Sequence, residues 1–436
     1  MIYNPWLSLA LLTVLIAPTA TIAGDTWASF QNGGRVSLQN TSTPGTSGAN
    51  NEIVWTAELR GYGQSSPVVW DGQVYVTSVE GSNKETYHVT AYGLQSGKQL
   101  WQHDVQNASP KKNNNYVSRA APTPAADQHG LVCYFEGGNL VALKHEGELR
   151  WERNLVEEYG DVGARHGLAA SIEQDETSAY IWIERSKDPY VLSIDKQTGE
   201  TNWKAEGLGV TSWSSPRMVP VDDTSHLVLS GTGILAGLEP QTGKRLWSLE
   251  GITGNSTPTP VPVGDGRFLI GATVARGGSS SGRAAASNGL VAINKADDGS
   301  WQADYLWRAK RATCSFGSPI AHAGVAYFVN ATGVLYGLDL ATGEERFAER
   351  LPGSTWATPV GIGERVLFFI KSGPLAIVAQ GDSPEITTRE PLPPDAEPAP
   401  QAAGPSSGSV VYGAAVCDEL LLLRRGDRLY ALGAVN

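Results

Sequence analysis

Six side chains carry the chemistry that this sequence could do: Arg119, Arg165, His166, Trp213, Trp356 and Lys371. Guanidinium and ammonium groups suit a carboxylate or phosphate, and an indole face suits a flat ring or a sugar. Together they point to binding of an anionic or aromatic small ligand rather than to bond making. His166 has no Ser or Cys nucleophile at motif spacing, and Asp161 is the carboxylate near it in sequence. No GxSxG, HExxH or phosphate-cradling loop occurs, so hydrolase chemistry has no motif behind it. Cys133, Cys314 and Cys417, an odd number at wide spacing, do not read as a disulfide framework, and no CxxC or Cys/His cluster suggests a metal site. Cys133 lies in an apolar run and reads as a buried thiol; Cys314 reads as a loop thiol open to solvent. No catalytic residue and no metal ligand is expected.

The elements that position these side chains belong to a repeat. A hydrophobic run, a turn ending in Gly, and a Trp four residues later recur at Gly97/Trp101, Gly147/Trp151, Gly199/Trp203 and Gly243/Trp247. Gly343/Phe347 is a degenerate copy. A repeat with a period of roughly 40 to 50 residues signals a radial or solenoid architecture. In the clearest unit, the strands Ser65-Ser66-Pro67-Val68-Val69-Trp70 and Gln73-Val74-Tyr75-Val76-Thr77 flank Asp71-Gly72, a strong hairpin signal. A third strand, residues 88–94, and a fourth, residues 98–105, complete one four-stranded propeller blade. The third strand recurs at residues 140–143, 191–194, 235–238, 290–293, 335–338, 375–378 and 429–432, which makes eight blades, with seven as the fallback. First strands are announced by Pro67, Pro122, Pro216, Pro258, Pro319 and Pro359, and lack the Pro near residues 168–170 and 409–411. The last copy has no fourth strand, and the orphan strand Ile53-Val54-Trp55-Thr56-Ala57-Glu58-Leu59 is expected to complete it and close the ring.

Trp55, Trp101, Trp151, Trp203, Trp247 and Trp307 are therefore read as docking residues. Each ring should lie across the next blade while its N–H finds a backbone acceptor. The six candidate ligand residues sit elsewhere. Like Asn255 and Phe316, five of them stand just before a first strand, and Lys371 stands between a second and a third. Such loops should converge on one mouth of the central channel.

These phrases, notably Leu235-Ala236-Gly237-Leu238-Glu239-Pro240-Gln241-Thr242-Gly243-Lys244-Arg245-Leu246-Trp247, closely resemble the pyrroloquinoline-quinone-like (PQQ-like) repeat family. The resemblance runs from about Ile53 to the C-terminus and implies an all-β, eight-bladed propeller joined by tryptophan docking. It implies two functional classes. One is the BamB-like propellers, non-enzymatic scaffolds at the bacterial envelope. The other is the PQQ- and calcium-dependent quinoprotein dehydrogenases of alcohols or sugars, in which Arg119, Arg165 and Lys371 would hold the quinone carboxylates and Trp213 or Trp356 would stack on its plane. The adjacent-cysteine disulfide and the calcium-binding carboxylate set of those enzymes have no counterpart motif here. The scaffold reading is therefore preferred; carbohydrate binding through Trp213 and Trp356 is a third.

Composition agrees with a single large repeat domain: 50 Gly and 25 Pro suit many tight turns. A net charge of −11 without basic runs excludes a nucleic-acid partner. Residues 7–17 are apolar and are followed by Pro18 and Thr21-Ile22-Ala23, the pattern of a cleavable signal peptide over residues 1–23. No Cys follows, so no lipobox is present. The expected organisation is the signal, an N-terminal extension over 24–50 and a propeller over 51–436, with a Pro-rich loop at about 391–408. A periplasmic or secreted monomer that binds an envelope or secreted protein is expected.

Overall fold

A computed structural model describes residues 26–38, 53–114, 117–164, 166–209, 212–274, 281–390, 392–393 and 410–433. The expected signal segment, Arg165 and most of the loops at 276–283 and 391–408 lie outside the described residues.

Eight antiparallel blades follow one another around a ring. Blade 1 consists of Val68–Trp70, Gln73–Glu80, Thr86–Gly93 and Gln99–Gln106. Blades 2 to 7 run from Ala125–Asp127 to Leu149–Asn154, Glu173–Gln174 to Thr201–Glu206, Arg217–Val221 to Arg245–Glu250, Val261–Gly264 to Trp301–Arg308, Ile320–His322 to Glu345–Arg350, and Val360–Ile362 to Ile386–Arg389. In blade 8, Val411–Cys417, Leu420–Arg425 and Arg428–Leu432 are completed by Ile53–Glu58, with Trp55 opposite Ala431. Both ends of the propeller thus share one sheet.

The sequence explains the layering. Second strands such as Ser178–Ile183 are buried at every position, because each is sandwiched between neighbouring blades. Fourth strands such as Ile53–Glu58 alternate between buried and exposed, because they face solvent on the rim. First strands touch one another around the channel. The first-to-second turns Asp71-Gly72, Asp265-Gly266 and Ala323-Gly324 place both central residues at positive φ, the primed turn that matches strand twist. Blade 3 begins at Glu173, later than its sequence suggests. Residues 171 and 172 are already engaged, with Ser171 N donating to Ser215 Oγ and Ile172 N to Thr123 O.

Trp203 shows how blades join. Its Nε1 donates to Pro240 O (2.8 Å), and its ring covers Gly243, where a Cβ would come within 2.5 Å of the indole. Trp55, Trp101, Trp151 and Trp307 likewise donate to Leu94 O, His145 O, Lys196 O and Leu340 O and cover Gly97, Gly147, Gly199 and Gly343. Trp247 departs from the expected arrangement. Its Nε1 donates to His226 Nδ1 of its own blade (3.0 Å), and open space surrounds Gly299 of the next turn. The cause is the cross-strand partner. Trp247 faces Gly237, and Phe347 faces Gly337, so each ring drops into the hollow left by a missing Cβ. Ala91, Ala142, Ser193 and Ala431 fill that hollow opposite Trp101, Trp151, Trp203 and Trp55 and turn those rings outward. Cys314 is also unlike its expectation: all three thiols are buried, and burial pushes Cys133 up to about 12 and Cys314 higher still.

The N-terminal extension enters the channel. Trp27 pairs with Val69 of blade 1, Ala28 O accepts from Ala126 N of blade 2, and Ser37–Leu38 adds a parallel strand to Val360–Ile362 of blade 7. Between them the chain reverses at residues 30–34.

Candidate functional site

The loops that enter each first strand are hydrogen-bonded to one another around one mouth of the channel. Gln64 N donates to Arg119 O, Ser118 N to His166 O, Trp213 N to Ser256 O, and Gly317 N to Thr355 O. Backbone bonds thus bridge four of the blade junctions at the mouth, and side chains project from this frame.

On one arc of that rim the cations alternate with aromatic rings. The Arg119 guanidinium lies 3.5 Å from the Tyr62 ring centre. Tyr62 Oη is 2.8 Å from Tyr412 Oη, and the Tyr412 ring is 5.8 Å from Trp356. Trp356 in turn carries Lys371 Nζ at 4.6 Å on its face and Phe316 at 4.7 Å. Phe316 is exposed; Tyr62, Trp356, Lys371 and Tyr412 are half-buried. Arg424 and Arg425 follow on the adjoining second strand. Arg424 is wholly buried, donates to Gly426 O and Thr77 O, and burial lowers its pKa to about 10. Burial, aided by the neighbouring Tyr412, pushes the Tyr62 hydroxyl far above its usual value, so it stays neutral.

Arg119 is the distinctive member. It is 8% exposed, and among the described residues no group accepts a hydrogen bond from its guanidinium. Its backbone is fixed by Gln64 Oε1. A buried cation without a counterion is costly, because a protein interior solvates charge poorly.

The remaining sequence candidates separate. His166 stacks loosely on Trp213 at 5.9 Å, and Trp213 Nε1 donates to Gly167 O (3.1 Å), so this pair forms its own part of the rim. Asp161 is not the partner of His166; its Oδ1 lies 2.9 Å from Lys111 Nζ, which holds the carboxyl below its usual range. Asn255 is fully buried and satisfied by Ser230, Ile234 and Gly233, a structural role. Tyr62 and Tyr412 were absent from the sequence candidates. Each is an aromatic residue beside a blade-8 junction, a signal visible only after ring closure brings residues 62 and 412 together.

The family model described as outer membrane protein assembly factor BamB matches residues 14–171 and 177–384. The chain belongs to this family. Outer membrane protein assembly factor BamB of Burkholderia pseudomallei (strain K96243) is 26% identical over 226 residues, covering 50% of this chain and 52% of the relative. The match thus spans about half of that relative's length. Among solved structures, BamB from Moraxella catarrhalis has a TM-score of 0.59 at 13% identity over 88% of this chain and 98% of its own. A europium-containing methanol dehydrogenase reaches 0.62 at 11% identity, over 94% and 98%. These likenesses show a common eight-bladed fold that serves BamB and dehydrogenases alike.

The mouth fits the two groups of a quinone–calcium pair unequally. Its cations and rings suit an anionic plane. The carboxylate donors for calcium are not assembled: Glu136 is bound to Lys84 and Ala120 N, and Glu184 to Trp182 Nε1 and Leu208 N. Among the described residues no group of three His, Cys, Asp or Glu side chains is placed to hold a metal.

Proposed function

We propose that the protein is an exported, non-catalytic BamB-like propeller that binds a partner protein through the mouth bearing Arg119. The partner supplies a carboxylate to Arg119, and an apolar or aromatic group to the wall formed by Phe316, Trp356 and Tyr412. The observation that carries this reading is the buried Arg119 guanidinium, stacked on Tyr62 and lacking an acceptor. Charge-assisted pairing of Arg with carboxylate is strong where water is excluded. Membership of the family described as an outer membrane assembly factor supports a scaffold at the envelope, and the apolar segment at residues 7–17 supports export.

The test is site-specific crosslinking from Phe316, replaced by a photoreactive phenylalanine analogue, in cells expressing the full chain. A discrete crosslinked partner that disappears with Arg119→Gln supports the reading; a crosslinking pattern unaltered by Arg119→Gln refutes the role of Arg119.

A quinone-dependent dehydrogenase is the second reading, favoured by the same cations and rings. Calorimetric titration with pyrroloquinoline quinone, with and without calcium, separates the two. Saturable, calcium-dependent binding with reduction of a dye by alcohols favours the enzyme. No binding to the folded protein removes it.

A further inference from the structure

A girdle of hydroxyls follows the channel wall through six blades at the entry to the first strands. Ser66 N donates to Thr123 Oγ1, Thr123 N to Ser171 Oγ, Ser171 N to Ser215 Oγ, Ser215 N to Thr259 Oγ1, and Thr259 N to Ser318 Oγ, all at 2.9 to 3.0 Å. Each bond ties one blade to the next, from blade 1 to blade 6. The following link, between blades 6 and 7, has a different form. Gln31 Nε2, from the N-terminal segment, donates to Ser318 Oγ (2.9 Å) and to Thr358 Oγ1 (2.6 Å). Gln31 Oε1 accepts from Arg217 Nη2 of blade 4 (3.0 Å), and Arg217 Nη1 lies 2.9 Å from Glu173 Oε2 of blade 3. Gln31 is 3% exposed. One carboxamide therefore joins three blades directly, and a fourth through Arg217.

We infer that residues 26–38 act as a built-in ligand of the channel, with Gln31 as the keystone that carries the girdle on to blade 7, and that they narrow the channel from the side opposite the Arg119 mouth. Three observations support this. The segment touches first strands or their entries in blades 1 to 7: Val69, Ala126, Glu173 through Arg217, Pro262, Ser318 and Gly361. It enters and leaves on the side of the first-to-second turns, because Trp27 runs antiparallel to Val69 and Ser37–Leu38 runs parallel to Val360–Ile362. Its tip is a left-handed turn, with Gln31 and Asn32 at φ 56° and 49°. Non-Gly residues seldom adopt that conformation unless surrounding contacts impose it. An amide serves both sides at once, whereas Glu would have to accept from both hydroxyls and add a second carboxylate to Arg217 beside Glu173, and Met would offer no polar group. The stem is held separately, by Ser37 Oγ at 2.7 Å from His322 Nδ1.

Hydrogen exchange on the full chain, read by mass spectrometry, tests this directly. In the wild type, amides of residues 27–38 should exchange at least ~100-fold more slowly than an unstructured peptide. Gln31→Met should remove at least tenfold of that protection there and at residues 355–363, while strands of blade 2 keep theirs. Wild-type exchange at the unstructured rate overturns the inference, as does unchanged protection in Gln31→Met. Should Gln31→Met fail to fold, Ser37→Ala replaces it. Loosening confined to residues 35–38 with the tip still protected then supports a tip anchored at Gln31, and no loosening at all refutes a separately held stem.

Discussion

The Arg119 guanidinium rests 3.5 Å above the Tyr62 ring, buried and without an anion beside it. On the proposed reading, this group serves binding rather than stability. Arg119→Met keeps the stacked aliphatic bulk and removes the charge, so it should leave stability unchanged or raise it by about 1 kcal/mol while abolishing partner capture. Denaturant midpoints beside crosslinking yields decide this. A clear loss of stability would make the guanidinium a structural stack.

Trp203 is the docking residue whose geometry is easiest to isolate. Trp203→Ala removes a ring that covers Gly243 and a hydrogen bond to Pro240 O. A loss of about 3 kcal/mol is expected, seen as a lower thermal midpoint. An unchanged midpoint would mean that the outer strands hold the blades without it.

Glu173 and Arg217 form an ion pair with both side chains at most 4% exposed. Glu173→Gln leaves the Arg217 charge buried beside a weaker acceptor and should cost about 3 to 5 kcal/mol. The double change Glu173→Gln with Arg217→Met should recover part of that loss in urea unfolding. Its failure to do so would show that Arg217 matters mainly through Phe30 O and Gln31, the other groups it binds.

Acid should weaken the fold before the carboxylates titrate. Burial holds His226 and His322 below the ordinary value of 6.5. His226 Nδ1 accepts from Trp247 Nε1, which cannot accept in return, so a proton at that atom breaks the bond. The unfolded chain binds more protons than the folded one in this window. Stability is thus fully present above 6.5 and declines as pH falls from 6.5 toward the lower folded values. Thermal midpoints at pH 7.5 and 5.5 should show the loss, and His226→Gln should reduce it.

The repeat made the blades legible in the sequence, because a Gly turn and a Trp four residues later report a fixed local geometry. The closing strand was legible for the same reason: Trp55 is a fourth-strand Trp without a blade of its own. Trp247 was not, since its behaviour depends on Gly237 across the strand pair, and register is not written in the Gly–Trp spacing. The arc of Arg119, Trp356 and Lys371 could be placed from its position ahead of strands, whereas Tyr62 and Tyr412 belong to it through contacts made only when the ring closes. The channel segment carries no periodicity at all. Gln31 finds its partners at Arg217, Ser318 and Thr358, so its role comes from distant hydroxyls and one cation.

The pairing of Ile53 with Leu432 also sets an order of events. Blade 8 lacks its outer strand until residues from the two ends of the propeller meet, so closure demands contact between nearly the most distant parts of the sequence. Contacts of such separation form slowly, because loop-closure entropy is lost before the contact is made. A chain emerging from synthesis therefore holds seven blades' worth of sequence as an open arc, with Trp55 and the facing sides of blades 1 and 7 uncovered, until residues 411–432 arrive. The closing sheet thus makes completion of the ring a late event, dependent on both ends of the propeller being present.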